Sequence, residues 1–267
     1  MTLVIAHRGA RSLAPENTLA AARAALEAGA DLWETDVVVT GDGRLILLHD
    51  NSLVRTTDVA GRFPDRAPWK TETFTLSEIC SLDAGSWFAK TDPFSTISAG
   101  VVTPEDLSGY RGERIPTLEE ALRFTRDASF RVNLELKRLP RSRKSFPLVE
   151  HVLSAIDDSG TGDGRVVISS FDHSLLREVS ALNPSLEVQA LIGHSEIRHL
   201  DWDTPEFKTY NVLHTLIDER WVRAMAEKGI SVNIFTVNEK EEMLRFVKAG
   251  AAGVITDFPQ NIIQYKK

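Results

Sequence analysis

Short apolar, β-branched runs alternate with segments of helical periodicity along almost the whole chain. That alternation constrains the fold more than any other feature. A strand, a helix and a further strand make a right-handed unit, and a succession of such units makes a parallel sheet. Strands are expected at Leu3–Ala6, Asp31–Thr40, Arg131–Lys137, Val166–Ser169, Glu187–Ile192, Lys208–Leu213, Ser231–Val237 and Gly253–Thr256. Helices are expected over Asn17–Ala28, Thr117–Asp127, Phe146–Asp158, from about Asp172, over Asp218–Lys228 and over Glu239–Ala249, with Gly29, Gly229 and Gly250 as stops. Thr117 with Glu120 forms a capping box. Eight strands with helices between most of them predict a closed (β/α)8 barrel of the TIM type. An open doubly wound sheet would carry a glycine-rich phosphate loop after its first strand, and this chain has none. A barrel of this kind absorbs all 267 residues as one domain, residues 1–267.

Two segments break the pattern. Thr40-Gly41-Asp42-Gly43 lies between two apolar runs and signals a hairpin, so Arg44–His49 should fold back antiparallel on the second strand. The stretch from about 51 to 114 is too long for an ordinary loop and carries Phe63, Trp69, Phe74, Trp87, Phe88 and Phe94. It is expected to form a small inserted subdomain over the barrel mouth. The single cysteine, Cys80, falls there and is expected to be a buried structural thiol.

Side chains alternate along a strand, so Glu34 and Asp36 share one face while Trp33, Thr35 and Val37 take the other. The apolar face packs on helices, which turns both carboxylates inward. The third strand repeats this: Asn133, Glu135 and Lys137 face inward. Three converging carboxylates repel one another unless they are protonated, paired or holding a cation. Oxygen ligands without a thiolate suit Mg²⁺ or Ca²⁺; an ion-pair network with Lys137 satisfies the same pattern. His7 follows the first strand, at the end where barrel enzymes keep their chemistry. His49 lies opposite Glu34 if Gly41-Asp42 is the turn, and opposite Asp36 if Asp42-Gly43 is. Either register puts it beside the carboxylates. Two imidazoles near a bound anion suit general base and general acid work. Arg8 and Lys137 add cations that suit a phosphate. The other histidines, His151, His173, His194, His199 and His214, are expected to be structural.

Thirty-one basic against 38 acidic side chains give a net charge of −7. That argues against a nucleic-acid partner, which would need a basic face. The apolar runs fall short of a membrane helix, so no stable membrane insertion is expected. With one cysteine and no signal-like start, a cytoplasmic location is expected. Nothing in the sequence addresses the oligomeric state.

The ordered motifs then resemble a known family. His7-Arg8-Gly9, Pro15-Glu16-Asn17-Thr18, Glu34-Thr35-Asp36-Val37, Thr40-Gly41-Asp42-Gly43 and His49-Asp50 are similar to the signature of glycerophosphodiester phosphodiesterases. So are Ile115-Pro116-Thr117-Leu118-Glu119-Glu120, Glu135-Leu136-Lys137, Ser169-Ser170-Phe171 and Gly253-Val254-Ile255-Thr256-Asp257-Phe258-Pro259. The resemblance implies a barrel with an insertion after the second strand and one divalent cation, Mg²⁺ or Ca²⁺, on Glu34, Asp36 and Glu135. It implies His7 and His49 as the catalytic pair, Arg8 and Lys137 on the phosphate, and Glu16 and Asn17 in support. It implies a small-molecule glycerophosphodiester substrate, hydrolysed to glycerol 3-phosphate and an alcohol. Phe235 stands where the family often has Trp; it keeps an apolar wall beside the glycerol but lacks the indole N–H. Lysophospholipase D-type action on lipids is an alternative, on the aromatic insertion and the basic stretch Lys137–Lys144. A catalytically silent barrel is another.

Overall fold

The computed structural model describes residues 2–193 and 200–262. Strand β1 (Leu3–Ala6) leads to helix α1 (Leu19–Glu27), and β2 (Leu32–Val39) turns back into β3 (Leu45–Leu47). Short helices α2 (Val59–Arg62), α3 (Leu76–Cys80), α4 (Ser86–Thr91) and α5 (Pro104–Tyr110) precede α6 (Leu118–Asp127). The chain continues through β4 (Val132–Leu136), α7 (Leu148–Ser159), β5 (Val166–Ser170), α8 (His173–Leu182), β6 (Glu187–Ile192) and β7 (Thr209–Leu213). It ends with α9 (Glu219–Glu227), β8 (Ser231–Phe235), α10 (Lys240–Ala249) and β9 (Gly253–Thr256). Eight strands run parallel in the order β1-β2-β4-β5-β6-β7-β8-β9, and β9 pairs back onto β1. The (β/α)8 barrel is therefore closed. His194 and His199 lie outside the described residues.

The alternation of side chains sorts the interior. Trp33, Val37, Val132, Leu134, Leu136, Val166 and Ile168 join Leu118, Leu122, Val149 and Val152 in the layer between strands and helices. Each such burial contributes ~1.5–3 kcal/mol. The intervening positions Ile5, Leu32, Val167 and Ile255 fill part of the barrel itself. Others on that inner face are polar: Asn233 Nδ2 donates to Gln189 Oε1 at 3.1 Å and to Asn211 Oδ1 at 2.8 Å.

Several boundaries differ from expectation for local reasons. α1 begins at Leu19 because Thr18 is its N-cap, its Oγ1 accepting from Ala21 N at 3.2 Å. Asn17 stands outside at φ +56°. α7 begins at Leu148, since Pro147 steers Phe146 away from helical geometry. The strand expected to reach Val237 stops at Phe235. The capping box at α6 is present, with Thr117 Oγ1 accepting from Glu120 N.

The hairpin corrects both expected registers. Val37 pairs with Leu47, Val38 with Ile46 and Val39 with Leu45, halfway between the two. The cause is a three-residue loop, Gly41-Asp42-Gly43, with Gly43 at φ +78° in place of a two-residue turn. Thr40 Oγ1 accepts from Arg44 N at 2.9 Å and donates to Asp42 Oδ1 at 2.6 Å. Arg143 donates to the Gly41 carbonyl, so this part of the basic stretch pins a turn. Were the ladder continued, His49 would face away from the carboxylates. It is not: after Leu48 N donates to Asp36 O at 3.0 Å the chain leaves the sheet.

Between β3 and α6 the aromatic side chains pack largely among themselves. Leu53, Val59, Phe74, Ile79 and Leu82 form a cluster with Val38, Ile46 and Leu48, and Phe63 meets Phe74 edge-on at 5.4 Å. Cys80 is half-buried, not fully enclosed as expected, because it closes the five-residue α3. Among the described residues no helix is long and apolar enough to cross a membrane.

Candidate active site

The site grows from inner-face positions at the carboxyl ends of neighbouring strands. In the β2–β4 register Asp36 lies beside Glu135 and Glu34 beside Asn133. One oxygen each from Glu34, Asp36 and Glu135 lies within 4.8 Å of the others, and all three residues are buried. Lys137 Nζ sits 2.8 Å from Asp36 Oδ1 and 2.7 Å from Glu135 Oε1. The cluster and the ion-pair network anticipated as alternatives thus coexist.

Arg8 enters through a turn that demands glycine. Arg8 and Gly9 take φ +53° and +79°, and a Cβ on Gly9 would come within 2.6 Å of Ala21. The turn aims Arg8 N at Glu34 Oε2, 2.9 Å away, and brings Arg8 Nε to 3.5 Å from Asp36 Oδ2. Asn17 Nδ2 donates to Asp36 Oδ2 at 2.9 Å, while its Oδ1 accepts from Thr35 Oγ1 at 2.7 Å.

Burial, reinforced by the charges of Asp36 and Glu135, pushes the Glu34 carboxyl well above its ordinary range. Burial and Asp36 push Glu135 the same way. For Asp36 burial is outweighed by the Lys137 and Arg8 cations, which hold its carboxyl well below the usual range. Three carboxylates against two cations leave one negative charge. A divalent cation would turn that to one positive, and a monoanionic phosphodiester would cancel it. The donor set fits a hard cation on this arithmetic and on ligand type. Nearby, Asn133 Nδ2 and Oδ1 and Ser169 Oγ are buried without a partner in the protein, a further sign of a site completed by ligands.

The two histidines are each held by an aspartate. His7 Nδ1 donates to Asp257 Oδ1 at 2.7 Å, and Asn238 Nδ2 donates to Asp257 Oδ2 at 2.8 Å. His49 Nδ1 donates to Asp50 Oδ1 at 2.7 Å. A carboxylate only accepts, so each Nδ1 carries the proton and each Nε2 is left for the cavity. Burial, with Arg8 and Arg11 nearby, lowers the His7 pKa against the opposing pull of Asp257.

His7, Arg8, Glu34, His49, Glu135, Lys137 and Phe235 line one cavity of about 170 Å³. Asp36 joins them through Lys137. Its other wall is apolar, with Phe171, Leu191 and Ile255. Phe171 meets Phe235 edge-on at 6.0 Å. Glu16 and Asn17 do not line the cavity; they hold Arg8 and Asp36 in place. His151, His173 and His214 lie elsewhere, on Pro147 O, Leu191 O and Glu242 respectively. Larger hollows of about 740 and 430 Å³ contain no such cluster. Asp50 and Asp257 fall within the motifs that resemble the family's but carried no assigned role there, and Arg11 and Arg55 were not singled out. Asp257 was within reach, since it falls two residues beyond the inward Ile255. The arginines carried no local signal.

The sequence model of the glycerophosphoryl diester phosphodiesterase family matches residues 7–261. A glycerophosphodiester phosphodiesterase from Caldanaerobacter subterraneus is 36% identical over 98% of this chain and 96% of its own. One from Bacillus subtilis is 31% identical over 99% of this chain and 86% of its own. Among solved structures, a phosphodiesterase from Oleispira antarctica, in complex with the product sn-glycerol-3-phosphate, is 28% identical. It covers 99% of this chain and 96% of its own, with a TM-score of 0.74.

Proposed function

The chain belongs to the glycerophosphoryl diester phosphodiesterase family and is a phosphoric diester hydrolase, and we propose that it cleaves glycerophosphodiesters to glycerol 3-phosphate and an alcohol using His7 and His49 as its acid–base pair. Glu34, Asp36 and Glu135 would hold the divalent cation, Mg²⁺ or Ca²⁺. When bound, that cation supplies Lewis-acid neutralisation of phosphoryl charge. The observation that carries the reading is the single cavity lined by two carboxylate-held imidazoles, two cations, and Glu34 and Glu135, with Asp36 clustered behind them.

Arg8 and Lys137 bind the phosphoryl oxygens and stabilise the charge that builds on them. His7 Nε2 takes the proton of the attacking hydroxyl, which is water, giving glycerol 3-phosphate directly, or the glycerol 2-hydroxyl, giving a cyclic phosphate that water then opens to glycerol 3-phosphate. The lowered pKa of His7 keeps it in the neutral form this needs. His49 Nε2 gives a proton to the leaving alcohol. Phe235 and Phe171 pack against the carbon skeleton. Asp257 and Asp50 fix the tautomers throughout.

The test is release of glycerol 3-phosphate from glycerophosphocholine and glycerophosphoethanolamine. EDTA should stop it and Mg²⁺ or Ca²⁺ should restore it. His7→Ala, His49→Ala and Glu34→Ala should each nearly abolish turnover with the fold intact. Wild-type activity in any one of them would remove that residue's assignment.

A further inference from the structure

Glu16 is a buried carboxylate, its side chain 3% exposed, and three guanidinium groups converge on it. Arg8 Nη1 donates to Glu16 Oε1 at 2.9 Å. Arg11 Nη2 lies 3.2 Å from Glu16 Oε2. Arg55, from the segment after β3, donates through Nη1 and Nη2 to both oxygens, at 3.0 and 2.7 Å. Each arginine also reaches on to a different part of the site. Arg8 leads to Asp36. Arg11 Nε lies 3.7 Å from Asp257 Oδ1, the oxygen that accepts from His7. Arg55 Nε donates to Asp50 Oδ2 at 2.6 Å, on the carboxylate that accepts from His49.

Resting on the function proposed above, we infer that Glu16 is the common anchor of both histidine–aspartate pairs, with Arg11 and Arg55 as positioning residues for His7 and His49 respectively. The two histidines come from opposite ends of the β1–β3 region, and no hydrogen bond joins them. A single buried anion gripped by rigid, forked cations fixes one pair relative to the other. Arg55 makes three charge-assisted hydrogen bonds through one planar group, a geometry lysine cannot reproduce. Arg11 is held on its far side by the ring of Phe94, 5.1 Å from its guanidinium carbon.

The leaving group distinguishes the two arms. A glycerophosphodiester of p-nitrophenol expels an anion that needs no proton, whereas the ethanolamine diester expels an alkoxide that does. Arg55→Ala should lower kcat about 10–100-fold on glycerophosphoethanolamine and less than about threefold on the nitrophenyl ester, with KM little changed. Arg55→Lys should not restore it. Arg11→Ala should lower kcat on both esters alike, because it acts through the base. Glu16→Gln should combine the two patterns. Thermal midpoints and near-ultraviolet circular dichroism confirm that each variant is folded.

Equal losses on both esters for Arg55→Ala, or kcat within twofold of wild type for both arginine variants, would overturn the inference while leaving the proposed function intact. The opposite pattern, with Arg11→Ala alone sensitive to the leaving group, would overturn the assignment of the two arms and exchange the histidines' roles. Wild-type protein inactive on both esters with Mg²⁺ or Ca²⁺ would remove the proposed function and this inference together.

Discussion

At the scale of single residues the two histidines are built alike but placed differently. The His7 side chain is 18% exposed and flanked by arginines, while that of His49 is 35% exposed. Burial lowers the pKa of His7 below 6.5. If His7 is the general base proposed above it works only when neutral, so activity should be retained until the pH falls through that lowered value. The acidic limb of kcat/KM is therefore expected below pH 6.5, measured on glycerophosphoethanolamine. A limb above 6.5 would point to another group as base. Asp257 accepts from His7 on one oxygen and from Asn238 on the other, so Asp257→Asn removes the charge and turns an N–H donor toward one of them; the His7 tautomer is then no longer fixed, and kcat should fall about 100-fold or more. Gly9 offers a test of placement. Alanine there meets both the positive φ and the 2.6 Å approach to Ala21, and should cost about 2–4 kcal/mol in urea denaturation.

At the scale of elements, the strands and their faces were legible because burial on one side writes itself into alternation. Glu34, Asp36, Glu135 and Lys137 were placed inward from parity alone, and the structure brings them together. The capping box of α6 was equally readable, and Thr117→Ala should cost ~1 kcal/mol by equilibrium unfolding. A cost near zero would mean that the bridge from Thr117 to Ile46 holds the helix start without the cap. The hairpin was not readable in full. Gly41-Asp42-Gly43 satisfies either two-residue turn equally well, and what selects the longer loop is Gly43 at positive φ with Arg143 and Thr40 bonding around it. Arg143 is about a hundred residues away in sequence. Asp257 behind His7 and Arg55 behind Glu16 share that difficulty, whereas Asp50 adjoins His49 in the chain. Arg55 to Glu16 and Asp257 to His7 are long-range pairings that no periodicity records.

At the scale of the whole molecule the barrel concentrates charge where water is scarce. Glu34 shows the consequence most directly. Its carboxyl is held well above the ordinary value of 4.5 by burial and by the neighbouring Asp36 and Glu135. A group whose folded pKa is raised stabilises the fold below its unfolded pKa and loses that contribution as pH rises. At pH 7 in the metal-free protein Glu34 therefore works against folding. Glu34→Gln keeps the shape and removes the ionisation, so the metal-free variant should unfold at a higher temperature than metal-free wild type. A divalent cation held as proposed by Glu34, Asp36 and Glu135 should reverse the electrostatics in wild type alone. At a hundredfold excess over Kd, binding adds about 2.7 kcal/mol, or roughly 5–10 °C in Tm for a chain of this size. The variant, with one ligand oxygen neutralised, should show little of that shift. Scanning calorimetry of both proteins with EDTA and with Mg²⁺ or Ca²⁺ reads all four states. A variant less stable than wild type without metal and equally responsive with it would mean that Glu34 neither repels its neighbours nor holds the cation. The same experiment contains its control for fold, since Glu34→Gln that loses the metal response while gaining metal-free stability cannot owe the loss to misfolding. That outcome would give the instability of the metal-free site and its affinity for the cation one origin, the closeness of three carboxylates that the barrel's inward parity enforces.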